Sequence, residues 1–138
     1  MLEVGIKGYQ ERMVDETVTA SSYGSGLLPV FSTPAMIALI EGTAWQSVQV
    51  ELKEGWGTVG TKLDVEHVSA TPIGMKVWCE TKLTGIDGRR LVFHADVYDD
   101  CGLIGTGTHE RFIIEDERFM KRAEEKKSRV EGTEKEPK

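Results

Sequence analysis

The segment that most constrains the fold runs from Pro34 to about Lys53, because it is long, helical in pattern and apolar on nearly every face of its first half. Thr33-Pro34 predicts the start of a helix, since threonine can cap the first backbone amides and proline is tolerated at the first helical position. Gly55 predicts its end. A helix without a polar face is surrounded by protein, so the rest of the chain is expected to wrap around it.

Four strand patterns follow this helix, and a weaker one precedes it. The strands are expected at about Tyr9–Ala20, Gly57–Ser69, Met75–Ile86, Arg89–Tyr98 and Leu103–Ile114. Ser21–Leu28 is rich in serine and glycine and predicts a loop. Short turns at Thr71–Gly74, Asp87-Gly88 and Asp99–Gly102 predict that consecutive strands pair antiparallel. The expected fold class is α+β, with an antiparallel β-sheet wrapped around a long central α-helix and a second protomer covering what remains.

The composition narrows the class of protein. A chain of 138 residues suits one domain, predicted at 1–120, and the charged residues 121–138 predict a C-terminal helix and a disordered tail. The helix is expected to begin near Asp116 and to fray after Arg129. The net charge of −6 argues against nucleic acid as a partner. Cys79 and Cys101 stand alone, which indicates neither a disulfide framework nor a metal site. Because no leader pattern or membrane span is evident, we expect a soluble, cytoplasmic protein.

Glu41 interrupts the apolar helix, and its neighbours one turn away include Ile37, Ala38, Ala44 and Trp45. Burial disfavours the charged form of a carboxylate, which makes a carboxyl group useful as a base or nucleophile near neutral pH. The structural alternative is a glutamate that pairs with a buried arginine or reaches the edge of the helix. Helix position alone leaves both open.

His67 lies on a predicted strand, where it alternates with Val59, Leu63 and Val65 and therefore faces the core. The alternative to a functional role is a core histidine that is bonded to a backbone carbonyl. A functional role becomes attractive if His67 meets Glu41, because the two could then share a proton or bind one substrate.

Thr33 stands at the predicted helix start, where free amides and the helix dipole stabilise negative charge. Its alternative role is plain N-capping. Thr33 precedes Glu41 by eight residues, about 12 Å of helical rise. A joint role therefore needs a substrate between the two side chains, or a contribution from a partner protomer.

The glycine-rich run Gly102–Gly107 lacks the Lys-Ser/Thr ending of a phosphate loop and instead predicts close backbone approach or a bulge. His109 and Arg111 follow it on one face of the strand. Arg111 could pair with a carboxylate or with a phosphate of a ligand, and the alternative is a surface salt bridge.

Together these residues resemble the single-domain hotdog thioesterases typified by the fluoroacetyl-CoA thioesterase family. The matching pieces are Val30–Pro34, Glu41, Gly60, His67, Thr71–Met75 and Gly107–Arg111. Each piece alone would be weak, and the joint spacing from threonine to glutamate to histidine to arginine carries the resemblance. It extends to about residue 120.

The resemblance implies a hotdog fold that works as a homodimer, with active sites at the protomer interface, and hydrolysis of an acyl-CoA thioester to free acid and CoA. It implies that Thr33, Glu41 and His67 are catalytic, with Glu41 as nucleophile or general base and the other two assisting. Gly60 and Arg111 are expected to bind substrate. Beyond the coenzyme A of the substrate, no cofactor and no metal is expected.

Two questions stay open at this point. The stretch before Val30 is short, whereas the fluoroacetate-specific member has a longer, aromatic-rich lid, so fluoroacetyl selectivity is not predicted. A hotdog hydratase or dehydratase acting on acyl-CoA, and a non-catalytic acyl-CoA-binding module, are the alternatives to a thioesterase.

Overall fold

The structure, a computed structural model, describes the backbone of residues 1–135 and the side chains of residues 1–131. Its elements are β1 (Lys7–Met13), a 3-10 turn (Glu16–Val18), α1 (Ala20–Tyr23), α2 (Thr33–Gln49), β2 (Trp56–His67), β3 (Lys76–Asp87), β4 (Arg90–Asp99), β5 (Gly102–Glu115) and α3 (Asp116–Lys135). The strands form a five-stranded antiparallel sheet in the order β1-β3-β4-β5-β2. Since α2 contacts all five strands, the predicted sheet around a long helix is confirmed.

The helix α2 begins with a cap that the sequence assigned to the wrong residue. Ser32 is the N-cap, and its Oγ accepts a hydrogen bond from the Ala35 amide at 3.1 Å. Thr33 is already the first helical residue, so its hydroxyl is not engaged in capping. The helix ends at Gln49, four residues before the predicted Lys53, because the chain tightens into turns there and reaches Gly55 in a left-handed conformation at φ +86°.

One side of α2 packs into the core. The buried residues of this side are Ala35, Met36, Leu39, Ile40, Thr43, Ala44 and Val48. The opposite side carries Pro34, Ala38 and Trp45, all exposed, with Trp45 at 40%. A single chain therefore leaves an apolar face of the helix open, and the expected cover by a second protomer stays a prediction.

The sheet contains the predicted β3-β4-β5 meander, but β2 does not pair with β3. It pairs with β5 instead, and β1 takes the place beside β3. The connection from β2 to β3 crosses the end of the sheet, where the Phe31 amide donates to the Thr71 carbonyl at 2.8 Å and the Thr71 hydroxyl donates to Asp99 at 2.7 Å. This anchored crossing separates the two strands and makes β2 an edge strand.

The hairpin between β3 and β4 has a two-residue loop, as predicted, but it is shifted by one residue. Asp87 pairs with Arg90, so the loop consists of Gly88 and Arg89. Gly88 has φ +60°. The first position of a two-residue hairpin loop requires such a left-handed backbone, which favours glycine. The expected close approach in the run Gly102–Gly107 is also present, since a side chain at Gly105 would collide with Met36.

The segment predicted as a strand from Tyr9 to Ala20 is a strand only as far as Met13. Asp15 accepts a hydrogen bond from the Thr17 amide, and Thr19 accepts one from the Ser22 amide. Each bond caps a short helical turn, and such local side-chain bonds compete with strand pairing. The predicted loop therefore also begins inside α1.

The last helix, α3, begins at Asp116, as predicted, and continues past Arg129 to Lys135. Residues 136–138, part of the predicted tail, lie outside the described residues. The division of the chain at residue 120 and the disorder of its tail stay predictions.

Candidate active site

Thr33 and His67 meet at the N-terminal end of α2. Thr33 Oγ1 lies 2.8 Å from His67 Nδ1, and Phe31 contacts the imidazole edge-on, with 6.2 Å between the ring centroids. Because Ser32 performs the capping, the threonine hydroxyl is available for this bond. The pair lines an open cleft of about 310 Å³, whose other lining residues include Ser25 and Ser69.

The imidazole of His67 is half-buried, and burial lowers its pKa, while the nearby backbone of Ser69 opposes the shift. The ring is therefore neutral near pH 7 and able to accept a proton. Its Nε2 is buried and has no hydrogen-bond partner among the side chains and backbone that the structure describes. A buried polar atom without a partner is costly, so this nitrogen is suited to a ligand.

His67 reaches this position because β2 contains a bulge. The pairing of β2 with β5 shifts register between Gly60 and Lys62, so the alternation of side chains changes phase there. Leu63 lies opposite His109 on the inner face, whereas Val59 lies opposite the exposed Phe112. The prediction that His67 faces inward is correct, but Val59 does not share its face.

Glu41 lies farther along α2 and faces a buried arginine. Arg111 Nη1 is 3.5 Å from Glu41 Oε2, and the side chains are 7% and 39% exposed, respectively. Arg111 therefore pairs with a carboxylate, one of the two partners considered from sequence, and it does not form a surface salt bridge. Burial lowers the pKa of Arg111, and Glu41 opposes that shift, so the guanidinium stays charged.

Two further residues hold this arginine, and neither was among the predicted site residues. Arg111 Nε donates to Thr58 Oγ1 at 2.8 Å and Nη2 donates to the Thr58 carbonyl at 3.0 Å. Nη1 lies 3.1 Å from Nε2 of His109, which is fully buried. The alternation of His109 with Arg111 was the one signal in the sequence; Thr58 had none.

Gly60 supplies the space that Glu41 occupies. A Cβ atom at residue 60 would lie 2.7 Å from Glu41 Oε2 and 3.2 Å from Arg111 Nη1. A side chain here would displace the carboxylate, so glycine is required by close approach rather than by backbone conformation. Gly60 and Arg111 thus both lie beside Glu41, and the substrate binding expected of them stays a prediction.

The structure does not bring the three predicted catalytic residues together in one chain. Thr33 and His67 form one half-site at the start of α2, and Glu41 with Arg111 and Gly60 forms another. The two half-sites are separated by eight residues of helix, about 12 Å. One thioester carbonyl cannot contact both at hydrogen-bond distance.

Within the described part of the chain, no group of three or more His, Cys, Asp or Glu side chains is arranged to hold a metal ion. None of the helices described is long and apolar enough to span a membrane.

A family model and the sequence of a named relative both match this chain. The family model of fluoroacetyl-CoA-specific thioesterases, FlK, matches residues 14–117. The chain is 36% identical over 97 residues to the fluoroacetyl-CoA thioesterase of Streptantibioticus cattleyicolor, covering 70% of this chain and 70% of that protein.

Solved structures are similar as well. The fluoroacetyl-CoA thioesterase FlK has a TM-score of 0.86 at 31% identity, with 91% of this chain and 98% of that chain covered. A threonine mutant of that enzyme in complex with acetyl-CoA has the same TM-score at 30% identity and the same coverage. A Thermus thermophilus thioesterase superfamily member, 24% identical, has a TM-score of 0.86 with 94% and 96% covered and bears on the fold alone. These matches confirm the resemblance drawn from the sequence, the hotdog fold and the class of thioester hydrolase.

Proposed function

The chain belongs to the fluoroacetyl-CoA-specific thioesterase family, and from this premise we propose that it hydrolyses an acyl-CoA thioester as a homodimer with composite active sites. Each site combines Thr33 and His67 of one protomer with Glu41 of the other. The separation of the two half-sites within one chain is the observation that carries this proposal.

Two surfaces support a dimer. The open face of α2 exposes apolar side chains that include Trp45, and the neighbouring strand β2 is a twelve-residue edge. Long unpaired edges and exposed apolar patches are typical of surfaces that a partner covers. Pairing of two β2 strands would extend the sheet across both protomers and cover the two surfaces together.

A two-fold axis between two protomers would bring the half-site of one chain against the other half-site of its partner. When β2 strands pair antiparallel about an axis midway between Gly60 and His67, each protomer's Gly60 lies beside the His67 of its partner. Since Gly60 adjoins Glu41, the carboxylate of one chain then meets the Thr33–His67 pair of the other. The cleft at Thr33 would receive the acyl group. His67 Nε2, which has no partner among the described residues, would bind the carbonyl oxygen.

Glu41 has two chemical options. As a general base, it takes a proton from water, the water oxygen bonds to the carbonyl carbon, the C–S bond breaks and the CoA thiolate leaves with a proton. As a nucleophile, a carboxylate oxygen bonds to that carbon, the thiolate leaves and water cleaves the mixed anhydride. Single turnover in ¹⁸O-water puts label into Glu41 only when Glu41 is the nucleophile and water attacks the glutamyl carbonyl of the anhydride, so label in Glu41 identifies the nucleophile. Arg111 orients the carboxylate in both cases.

Mixed dimers test the composite site. Glu41→Gln and His67→Ala should each be nearly inactive alone, because every site in either homodimer lacks one group. After mixing by co-expression, half of the dimers are mixed and each has one intact site, so activity should recover to about one quarter of wild type. A site within one chain would show no recovery, and that result would overturn the proposal.

The reaction is tested by thiol release over a panel of acyl-CoAs that includes acetyl-, fluoroacetyl-, β-hydroxyacyl- and longer-chain thioesters. Release of free CoA identifies a thioesterase and gives its acyl preference. Conversion of a β-hydroxyacyl or enoyl substrate without thiol release would identify a hydratase or dehydratase. Saturable binding without turnover would identify a binding module.

A further inference from the structure

His109 on β5 is the fully buried histidine next to the Glu41 half-site, and its hydrogen bonds determine its protonation. Nδ1 lies 2.8 Å from the Lys62 carbonyl, and Nε2 lies 3.1 Å from Arg111 Nη1. A guanidinium can only donate, so Nε2 must accept. The proton of the ring is therefore on Nδ1, from which it is donated to the carbonyl.

Arg111 is held mainly by residues of β2 and β5. Thr58 holds two of its nitrogens at 2.8 and 3.0 Å, and His109 holds the third. Glu41 is the most distant partner, at 3.5 Å. The guanidinium is thus fixed by β2 and β5 before it meets the carboxylate, and the position of Nη1 depends on the acceptor that His109 provides.

We propose that His109 is a positioning residue for the reaction, which acts as a neutral acceptor that aims Arg111 at Glu41. A second proton on the imidazole would place an N–H against Nη1 and two positive charges in contact, so Arg111 would have to turn away. The kinetic part of this inference rests on the proposed function, whereas the hydrogen-bond arrangement does not.

The surroundings of the ring favour its neutral form. Burial lowers the pKa of His109, the Lys62 carbonyl opposes that shift, and Arg111 adds to it. Phe93 on β4 stacks on the ring at 6.2 Å. The carboxylates of Glu41 and Glu110 also oppose the shift, because their negative charges raise the pKa of His109.

The other charged side chains that the structure describes near His109 do not contact its ring. Glu110 is on the opposite face of β5, where it pairs with Arg90 at 2.8 Å. Lys62 contributes only its carbonyl to His109, and its side chain is exposed. Arg111 is therefore the charged side chain in direct contact with the imidazole within the described residues.

Matched variants separate positioning from structure. In His109→Gln the amide oxygen reaches toward Arg111 as Nε2 does, while His109→Asn can still donate to Lys62 but cannot reach the arginine. We expect His109→Asn to lower kcat about 100-fold, the size of effect that follows displacement of a catalytic group by about 1 Å, with little change in KM. His109→Gln should stay within about fivefold of wild type and should lose the decline in kcat that His109 protonation causes at acid pH.

His94→Gln is the control, because His94 is exposed on the outer face of the sheet and contacts Asp96. It should change neither kcat nor the pH profile. Thermal unfolding of all three variants identifies any that fail to fold. Equal loss of kcat in folded His109→Asn and His109→Gln, or no loss in either, would overturn the proposal.

Nitrogen-15 NMR of labelled histidine tests the arrangement without any turnover. We expect His109 at pH 7 as the neutral tautomer with the proton on Nδ1, and Arg111→Lys should shift its Nε2 resonance. A proton on Nε2 would refute the positioning role. If no acyl-CoA is hydrolysed but the expected tautomer is seen, the proposed function fails while the hydrogen-bond arrangement stands.

Discussion

Replacing Gly60 with alanine adds one methyl group at the point where β2 passes Glu41. The new Cβ would lie 2.7 Å from Glu41 Oε2, so the carboxylate must retreat by about 0.7 Å to reach the 3.4 Å at which ordinary contact begins. Displacement of a catalytic group by about 1 Å can lower a rate 100-fold. We therefore expect kcat to fall by about 10- to 100-fold.

The fold should tolerate this substitution. Gly60 lies in a strand and is not among the glycines with positive φ, and alanine at such a site stabilises by about 0.4–1 kcal/mol through the unfolded state. The clash falls on the end of a flexible side chain, which can move at small cost. The free energy of unfolding should therefore stay within about 1 kcal/mol of wild type.

Steady-state hydrolysis of the preferred acyl-CoA and urea unfolding measure the two quantities. The matched control is Gly85→Ala in β3, where the new Cβ would meet Val92 at 3.6 Å, an ordinary contact. This variant should keep full activity. Full activity in Gly60→Ala, or equal losses in both variants, would refute the reasoning about close approach to Glu41.

Three other predictions follow from the same contacts. Ser32→Ala removes the cap of α2 and should lower the free energy of unfolding by about 1 kcal/mol in urea titrations. Thr33→Val should instead lower kcat with little effect on stability. The reverse pattern would contradict the assignment of capping to Ser32 and of the contact with His67 to Thr33. Burial lowers the pKa of both His67 and His109, so below about pH 6.5 the unfolded chain binds protons more readily than the folded protein does. The stabilisation should therefore be fully present above that pH and fall as the pH decreases toward the folded-state pKa values. Urea unfolding at pH 7.5 and 5.5 checks this, and a greater stability at pH 5.5 would contradict it. Trp45→Asp places a charge on the open face of α2 and should yield a folded, inactive monomer in sedimentation, while an active dimer would argue against the proposed interface.

Local patterns were enough to predict most elements of the fold. The apolar run after Thr33 predicted α2, and the alternating segments with short turns predicted β3, β4 and β5, because helix periodicity and turn chemistry depend on residues a few positions apart. The joint spacing of threonine, glutamate, histidine and arginine was likewise visible in the chain, and it indicated the family.

Tertiary structure decided what depends on distant residues. Pairing of β2 with β5 follows from the anchored crossing at Thr71, and the bulge after Gly60 reversed the face expected for Val59. Neither is visible in a local pattern, since a register shift exists only relative to a partner strand. The burial of Arg111 and the role of His109 depend on the same pairing.

The sequence by itself predicted Thr33, Glu41 and His67 as the candidate catalytic side chains, because residue types and spacing are properties of the chain; their roles stay predictions. It did not determine that Ser32 rather than Thr33 caps α2, which leaves the Thr33 hydroxyl to His67. Only the tertiary structure decided that Thr33 and His67 lie together while Glu41 lies about 12 Å along the helix. The physical reason is that a rigid helix fixes the distance between its own residues, and the strand that brings His67 to one end passes Glu41 with Gly60.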